Sequence, residues 1–150
     1  MTAEENEILQ RDIRRALIRR IVTYILIILA LVIAFVYAFR QFKIYSNARL
    51  ALREAKNIKM SLEMINTEYY AVGLTIYDDT ADGNLRKGAR DYVYKIQGDI
   101  NGEIKLTGYD SKNRIITGLE YETEEYIVRF SRTGENEKWQ VCLIKEILSY

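Results

Sequence analysis

Apolar and polar positions follow three successive rhythms along this chain. From Ile21 to Phe39 no residue carries a charge and the apolar run is nearly unbroken. From Ile44 to Val72 the apolar residues recur at alternating steps of four and three, the period of one helix face. Beyond Gly102 they alternate with polar residues, the period of a half-covered strand. No proline occurs anywhere and the first glycine is Gly73, so nothing breaks a helix before that point.

The first rhythm predicts a membrane-spanning helix over 21–39. Nineteen residues at about 1.5 Å each give about 28 Å, close to the thickness of a hydrocarbon core. Arg19 and Arg20 precede the run, Arg40 and Lys43 follow it, and Tyr24 and Tyr37 sit near its ends, where amphipathic rings favour the headgroup layer. The run leads into Arg40-Gln41-Phe42-Lys43 rather than a small-residue cleavage site, which marks a retained anchor instead of a signal peptide. Ahead of it, Leu9, Ile13, Ala16 and Leu17 are spaced helically with Arg11, Arg14 and Arg15 between them. Residues 1–20 are expected to form a basic amphipathic tail at the inner membrane surface, or simply the first turns of the anchor helix.

The second rhythm predicts an amphipathic stalk helix over 40–72, with the stripe Ile44, Ala48, Ala51, Ala55, Ile58, Leu62, Ile65, Tyr69 and Val72. Its first half is small and its second half large. Alanines suit close approach of another helix, so Ala48, Ala51 and Ala55 are expected to meet partner helices. The bulky half, Ile58, Leu62, Ile65 and Tyr69, suits packing on a sheet and is assigned to the core of the head. Gly73 ends this helix.

Residues 73–150 are expected to form one small extracytoplasmic α+β head that packs with 58–72. The segment from Tyr77 to Asn84 has loop chemistry. Leu85, Ala89, Tyr92, Val93 and Ile96 then repeat at helical spacing, giving a short helix over 84–97 stopped at Gly98, although Tyr92, Tyr94 and Ile96 also satisfy a strand. Four strands follow, carried by Ile104 and Leu106; by Ile115, Thr117, Leu119 and Tyr121; by Tyr126, Val128 and Phe130; and by Trp139, Val141 and Leu143. They read as an antiparallel meander with one covered face, Trp139 and Val141 belonging to its core. The stalk helix is the expected cover.

Charge sharpens this layout. The net charge of +1 conceals a gradient: residues 40–60 carry six basic residues against Glu54, whereas 61–150 carry eleven basic and sixteen acidic residues. A basic stalk bearing Arg49, Arg53, Lys56 and Lys59 and an acidic head let one copy's head approach another's stalk, or hold the stalk against anionic headgroups. Ordinary solvated faces are the plain alternative. Within ten residues of the span, five basic residues precede it and three follow it, which favours a cytoplasmic N-terminus and an extracytoplasmic head. The lone Cys142 cannot form an internal disulfide.

Candidate chemistry is sparse. The absence of histidine removes the commonest general base and metal ligand, and no nucleophile elbow, phosphate loop or cysteine pair occurs, so neither an enzyme nor a cofactor is expected. Asp78, Asp82 and Asn84 beside Gly83 form half of a calcium loop, but Ala89 stands where the bidentate glutamate belongs, and a structural turn accounts for the same residues. Twelve tyrosines against four phenylalanines make the head amphipathic, with Tyr109, Tyr121, Tyr126 and Tyr150 as candidates for subunit or carbohydrate contacts or for half-buried sheet positions.

The run from Ala48-Arg49-Leu50-Ala51 through Leu52-Arg53-Glu54-Ala55-Lys56-Asn57-Ile58-Lys59, then Leu62 and Glu68-Tyr69-Tyr70-Ala71 before a loop and a sheet with Glu125-Tyr126-Ile127-Val128 and Trp139-Gln140-Val141, resembles type IV pilins and type II secretion pseudopilins. The sheet is similar to the small heads of Gram-positive pilin-like proteins. The resemblance implies a pilin-like fold and a non-enzymatic structural or accessory role in a pilus or secretion assembly. Its partners would be the bilayer and other membrane, pilus or secretion subunits, with a homo-oligomer among the options and no nucleic acid. Two family features are missing: a glycine just before the apolar segment, and a glutamate early within it, since no acidic residue lies between Asp12 and Glu54. The pilin processing signal is therefore absent, and a permanently anchored protein is expected. Drawing the tail's five arginines through hydrocarbon would be costly. The competing expectation is a single-pass ligand-binding or sensing module that signals through a partner.

Overall fold

A computed structural model describes residues 3–98 and 100–147, with side chains from 13 to 98 and from 100 to 145. The chain divides into two compact units, Met1–Tyr45 and Ser46–Tyr150. Helix α1, Ala3–Ala71, supplies the first unit and enters the second.

In the first unit every described side chain is exposed, and large apolar groups point to all sides of the helix: Phe35, Tyr37 and Phe39 are 71, 66 and 61 % exposed. A helix apolar all round and covered by nothing in its own chain fits lipid as its surroundings. One helix near the N-terminus is thus a candidate membrane span. Thr23 donates its hydroxyl to the Arg19 carbonyl (2.8 Å), so that hydroxyl is satisfied within the helix itself. The basic tail residues Arg14 and Arg15 lie on the same unbroken helix. The side chain of Leu9 lies outside the described residues.

In the second unit α1 buries one stripe, Ala51, Ala55, Ile58, Leu62 and Ile65, with Ala48 and Tyr69 half-buried beside it. The expected core half of the stripe is therefore in the core, and the core extends a further two turns toward Ala48. Helix α1 ends where Gly73 takes φ +76°, a conformation that costs glycine little; the Gly73 and Leu74 N–H groups close on the Tyr70 and Tyr69 carbonyls (3.1 and 2.8 Å). Val72, last of the stripe, lies beyond the helix and is exposed.

Strands β1 (Gly102–Asp110), β2 (Ile115–Thr123), β3 (Tyr126–Thr133) and β4 (Asn136–Leu143) form one antiparallel sheet in sequential order. The molecule is thus α+β, with a long N-terminal helix packed on a four-stranded antiparallel meander. Ile104, Tyr121, Val128 and Val141 pair across all four strands, and Leu119, Phe130 and Trp139 form the next row. Burial is complete in the central strands and partial on β4, where Trp139, Val141 and Leu143 pack against the core from its edge.

Alternation fails once. Ile115 and Thr117 were expected to share the inner face with Leu119, but Ile116 is buried and Ile115 is exposed. The register of β1 on β2 shifts on both sides of Gly108, opposite Gly118. A Cβ on either glycine would stand 2.6 Å from a threonine hydroxyl of the opposite strand and within 3 Å of its backbone nitrogen. Only this glycine pair admits the irregularity, and the irregularity reverses the phase of β2.

The helix expected over 84–97 is shorter. Leu85 forms an isolated bridge with Tyr77 and is buried there, after a 3₁₀ turn at Asp82–Asn84, and α2 begins at Lys87 and ends at Gln97. Ala89 and Val93 are its buried residues, whereas Tyr92 and Ile96 remain exposed, because a narrow strip of this helix meets the rest of the head. The short α3, Ile144–Ile147, follows β4.

Trp139, the single tryptophan, lies in the head and reports its unfolding by fluorescence. For the full chain in detergent micelles, Leu62→Ala is expected to cost about 2–5 kcal/mol in a denaturant titration, and exposed Met64→Ala less than about 0.5 kcal/mol. Gly118→Ala is expected to cost about 1–3 kcal/mol by forcing β1 and β2 apart.

Candidate interaction surface

Several polar residues of α1 fasten the head together. Four levels of the helix are fastened. The Tyr121 hydroxyl, on a fully buried ring, donates to Glu54 Oε2 (3.0 Å). Burial, and then the Glu54 charge, push the Tyr121 phenol well above its ordinary value, so it stays a donor. Gln97 of α2 donates to buried Ser61 Oγ (2.6 Å). Asn66 donates to the Arg114 carbonyl (2.6 Å) and accepts from the Tyr109 hydroxyl (2.8 Å), so its amide is used from both ends.

The fourth level is an ionic cluster around Lys59, whose side chain is only 11 % exposed. Its Nζ lies 3.0 Å from Glu63 one turn on and 3.1 Å from Glu137 of β4, and stands 4.7 Å from the Phe130 ring centre. Arg132 completes the cluster by binding Glu137, with Glu63 at 3.5 Å. Donation from Arg132, then from Lys59, holds the Glu137 carboxyl below the usual range. Lys56 lies 5.8 Å over Trp139, which itself packs on Phe130 with ring centres 4.8 Å apart.

These positions correct two expectations, for the alanines and for Lys59, and decide between the alternatives offered for the tyrosines. Ala51 and Ala55 are buried in the chain's own core, so they offer no face to another helix. Ala48 packs against the same core. Lys59 is spent within the head. Arg49 and Arg53 remain exposed on the opposite side of α1. Tyr121 and Tyr126 are buried and Tyr109 is half-buried, stacked on Tyr77 with centres 5.7 Å apart, so these rings are sheet-face residues. Tyr150 lies outside the described residues.

The calcium candidates do not converge. Asp78 accepts from the Thr80 N–H and hydroxyl (3.1 and 2.7 Å), Asp82 pairs with Arg90 (2.8 Å), and Asn84 donates to the Leu106 carbonyl (3.2 Å). Each side chain serves the turn, and among the described residues no group of three or more acidic or cysteine side chains is placed to hold a metal. Asp78 and Asp82 are held below the ordinary carboxylate value, first by the Thr80 and Arg90 hydrogen bonds respectively.

What the sequence reading missed is a groove on the head. Asn47, Leu50, Ala51 and Glu54 make one wall, at spacings of three, one and three, and the β2–β3 turn from Thr123 to Tyr126 makes the other, enclosing about 460 Å³. Leu50 is its exposed apolar residue, and Glu54, Glu124 and Glu125 give it acidic lining. Its signal in the sequence was the pair Glu124-Glu125 at a tight turn, but nothing local placed that turn beside Glu54.

The ionic cluster generates a pH prediction. The Glu137 carboxyl is depressed in the folded head, so its stabilisation is complete above the ordinary carboxylate range and is lost as pH falls through the depressed value. Thermal melts of the full chain monitored at Trp139 should weaken below about pH 4.5, and Glu137→Gln should be roughly 1 kcal/mol less stable at pH 7 and show a flatter acid limb. No known protein family, curated protein or solved structure compared with this chain matches it.

Proposed function

We propose that the protein is a permanently membrane-anchored, non-enzymatic structural or accessory component of a pilus-like or secretion-like assembly, single-pass, with its N-terminus in the cytoplasm and its head outside. One observation carries this reading: a single helix supplies both the apolar span and, from Ala48 to Ile65, the core of the α+β head. That is the division of labour expected of a pilin-like subunit. The charge asymmetry across the span supports the orientation. Buried and fastened polar residues on the inner face leave the head's outer surfaces for contacts with partners.

The second reading, an extracytoplasmic ligand-binding or sensing module, draws on the groove beside Glu54. Its volume is in the range of small-molecule sites, but it is open and its rim is acidic.

Fractionation separates the two. In native membranes the protein should resist carbonate extraction, retain residues 1–20 by intact mass, and migrate with a high-molecular-mass assembly after mild detergent. A membrane-impermeant maleimide should label Glu135→Cys in a Cys142→Ser background without permeabilisation. Loss of the basic tail by mass would restore an ordinary shaft subunit. A species that sediments alone under every mild extraction would reject the assembly role.

A further inference from the structure

Where α1 ends, the segment after it and the β1–β2 turn enclose a cavity of about 220 Å³, lined by Gly73, Leu74, Thr75, Tyr109, Ser111 and Arg114. Its lining combines one cation, two aliphatic hydroxyls and a ring, and no carboxylate belongs to it. A second cavity of the head, at Asp82, Arg90, Glu103 and Lys105, is different in kind. It encloses about 20 Å³, and its charges are already matched, Arg90 by Asp82 and Lys105 by Glu103 and Glu122.

Arg114 gives the larger cavity its chemistry. Its guanidinium lies over the Tyr70 ring, 4.4 Å from the ring centre, and Nη1 stands 3.4 Å from the Leu74 carbonyl. Stacking of this kind turns the edge of the guanidinium, where its donors lie, away from the ring. Unpaired charges are ordinary on a protein surface; one fixed at a cavity wall is not. The backbone adds a second observation. Arg114 is left-handed, φ +56°, at the residue just before β2, a conformation that suits glycine and costs an arginine free energy, so the turn alone does not require this side chain. It is held there by Asn66, which donates to the Arg114 carbonyl at 2.6 Å and accepts from the Tyr109 hydroxyl at 2.8 Å. A strained residue whose surroundings fix both its backbone and its side chain is a pattern found at ligand contacts. The hydroxyls nearby retain donors: Thr75 Oγ1 accepts the Tyr77 N–H at 3.2 Å and keeps its own proton, and among the described residues the Ser111 hydroxyl makes no hydrogen bond.

We infer that this cavity binds a small hydroxylated carboxylate of the sugar-acid class. The Arg114 guanidinium forks onto the carboxylate, and the Thr75 and Ser111 hydroxyls meet the ligand's own hydroxyls. A volume of about 220 Å³ lies below the range of about 300–1,000 Å³ of drug-sized sites, which limits the ligand to one ring or a short chain. The site is separate from the groove beside Glu54, and it serves a head acting alone or within an assembly equally well.

Isothermal titration calorimetry of the full chain in detergent micelles tests this with glucuronate, with glucose as the uncharged analogue and inorganic phosphate as the rival anion. Glucuronate should bind with a Kd of about 1 mM, within reach of a ligand of this size, and glucose about tenfold more weakly or not at all. Arg114→Gly should abolish glucuronate binding yet leave the head folded by Trp139 fluorescence, because glycine takes this φ at little cost. Arg114→Lys should weaken binding about tenfold, since an ammonium lacks the planar fork, and Ser111→Ala about threefold. Arg53→Ala, at an exposed arginine outside the cavity, should leave binding unchanged. No detectable binding of glucuronate up to about 50 mM, equal binding of glucose, or tighter binding of phosphate overturns the assignment. So does binding that survives Arg114→Gly or falls equally in Arg53→Ala.

Discussion

The architecture of the head depends on one packing constraint: the inner face of a four-stranded sheet must be covered, and the stripe from Ala48 to Ile65 on α1 covers it. Tyr121, Phe130, Leu119 and Val128 are buried because that stripe lies over them. The size gradient along the stripe follows from this. Small alanines face the core at one end, and Ile58, Leu62 and Ile65 fill it at the other. A sheet of this size without its helix would expose most of its core, and a helix of this composition without its sheet would expose its apolar stripe.

Apolar burial is non-directional, so it does not fix how the helix is rotated or how far it slides. The polar contacts do. Glu54 reaches β2, Lys59 reaches β4, Ser61 reaches α2 and Asn66 reaches the β1–β2 turn, so each neighbouring element is met at its own level of the helix. These are geometric stops more than sources of net stability, since each exchanges hydrogen bonds with water for hydrogen bonds within the protein. The Lys59 cluster also explains why a basic stalk sits comfortably on an acidic head: part of the charge asymmetry is neutralised inside the fold.

Much of the fold was legible in the sequence because its signals are local and periodic. The charge-free run, the four-and-three stripe and the alternating strands each follow from one residue's spacing to the next, and Gly73 marks the helix end through its own backbone. The misreadings all arose where a distant residue decides. Ala51 and Ala55 looked like a helix-docking face because alanine spacing says that something comes close, without saying whether it is a foreign helix or the chain's own sheet. Ile116 displaced Ile115 from the core through a glycine pair on two strands, which no single-strand pattern contains. Leu85 was drawn out of its helix by a bridge to Tyr77. The groove unites residues 47–54 with 123–126, two segments that no local pattern brings together.

The order of the elements along the chain also bears on how the head is made. Strands β1 to β4 pair only with sequence neighbours, so each hairpin closes over a short loop. The helix that covers them comes first in the sequence, yet Ala55 and Leu62 pack in one core with Val128 and Phe130, some 65 to 75 residues later. During synthesis the apolar stripe therefore emerges well before its sheet exists, and docking of helix on meander is a long-range closure that follows local pairing. In that interval Lys59, with Glu63 one turn away, keeps a charge at the edge of an otherwise sticky face. A charged residue beside an exposed apolar stripe works against association of that stripe, so the residue that pins the helix to β4 is also one that keeps the stripe from being uniformly apolar.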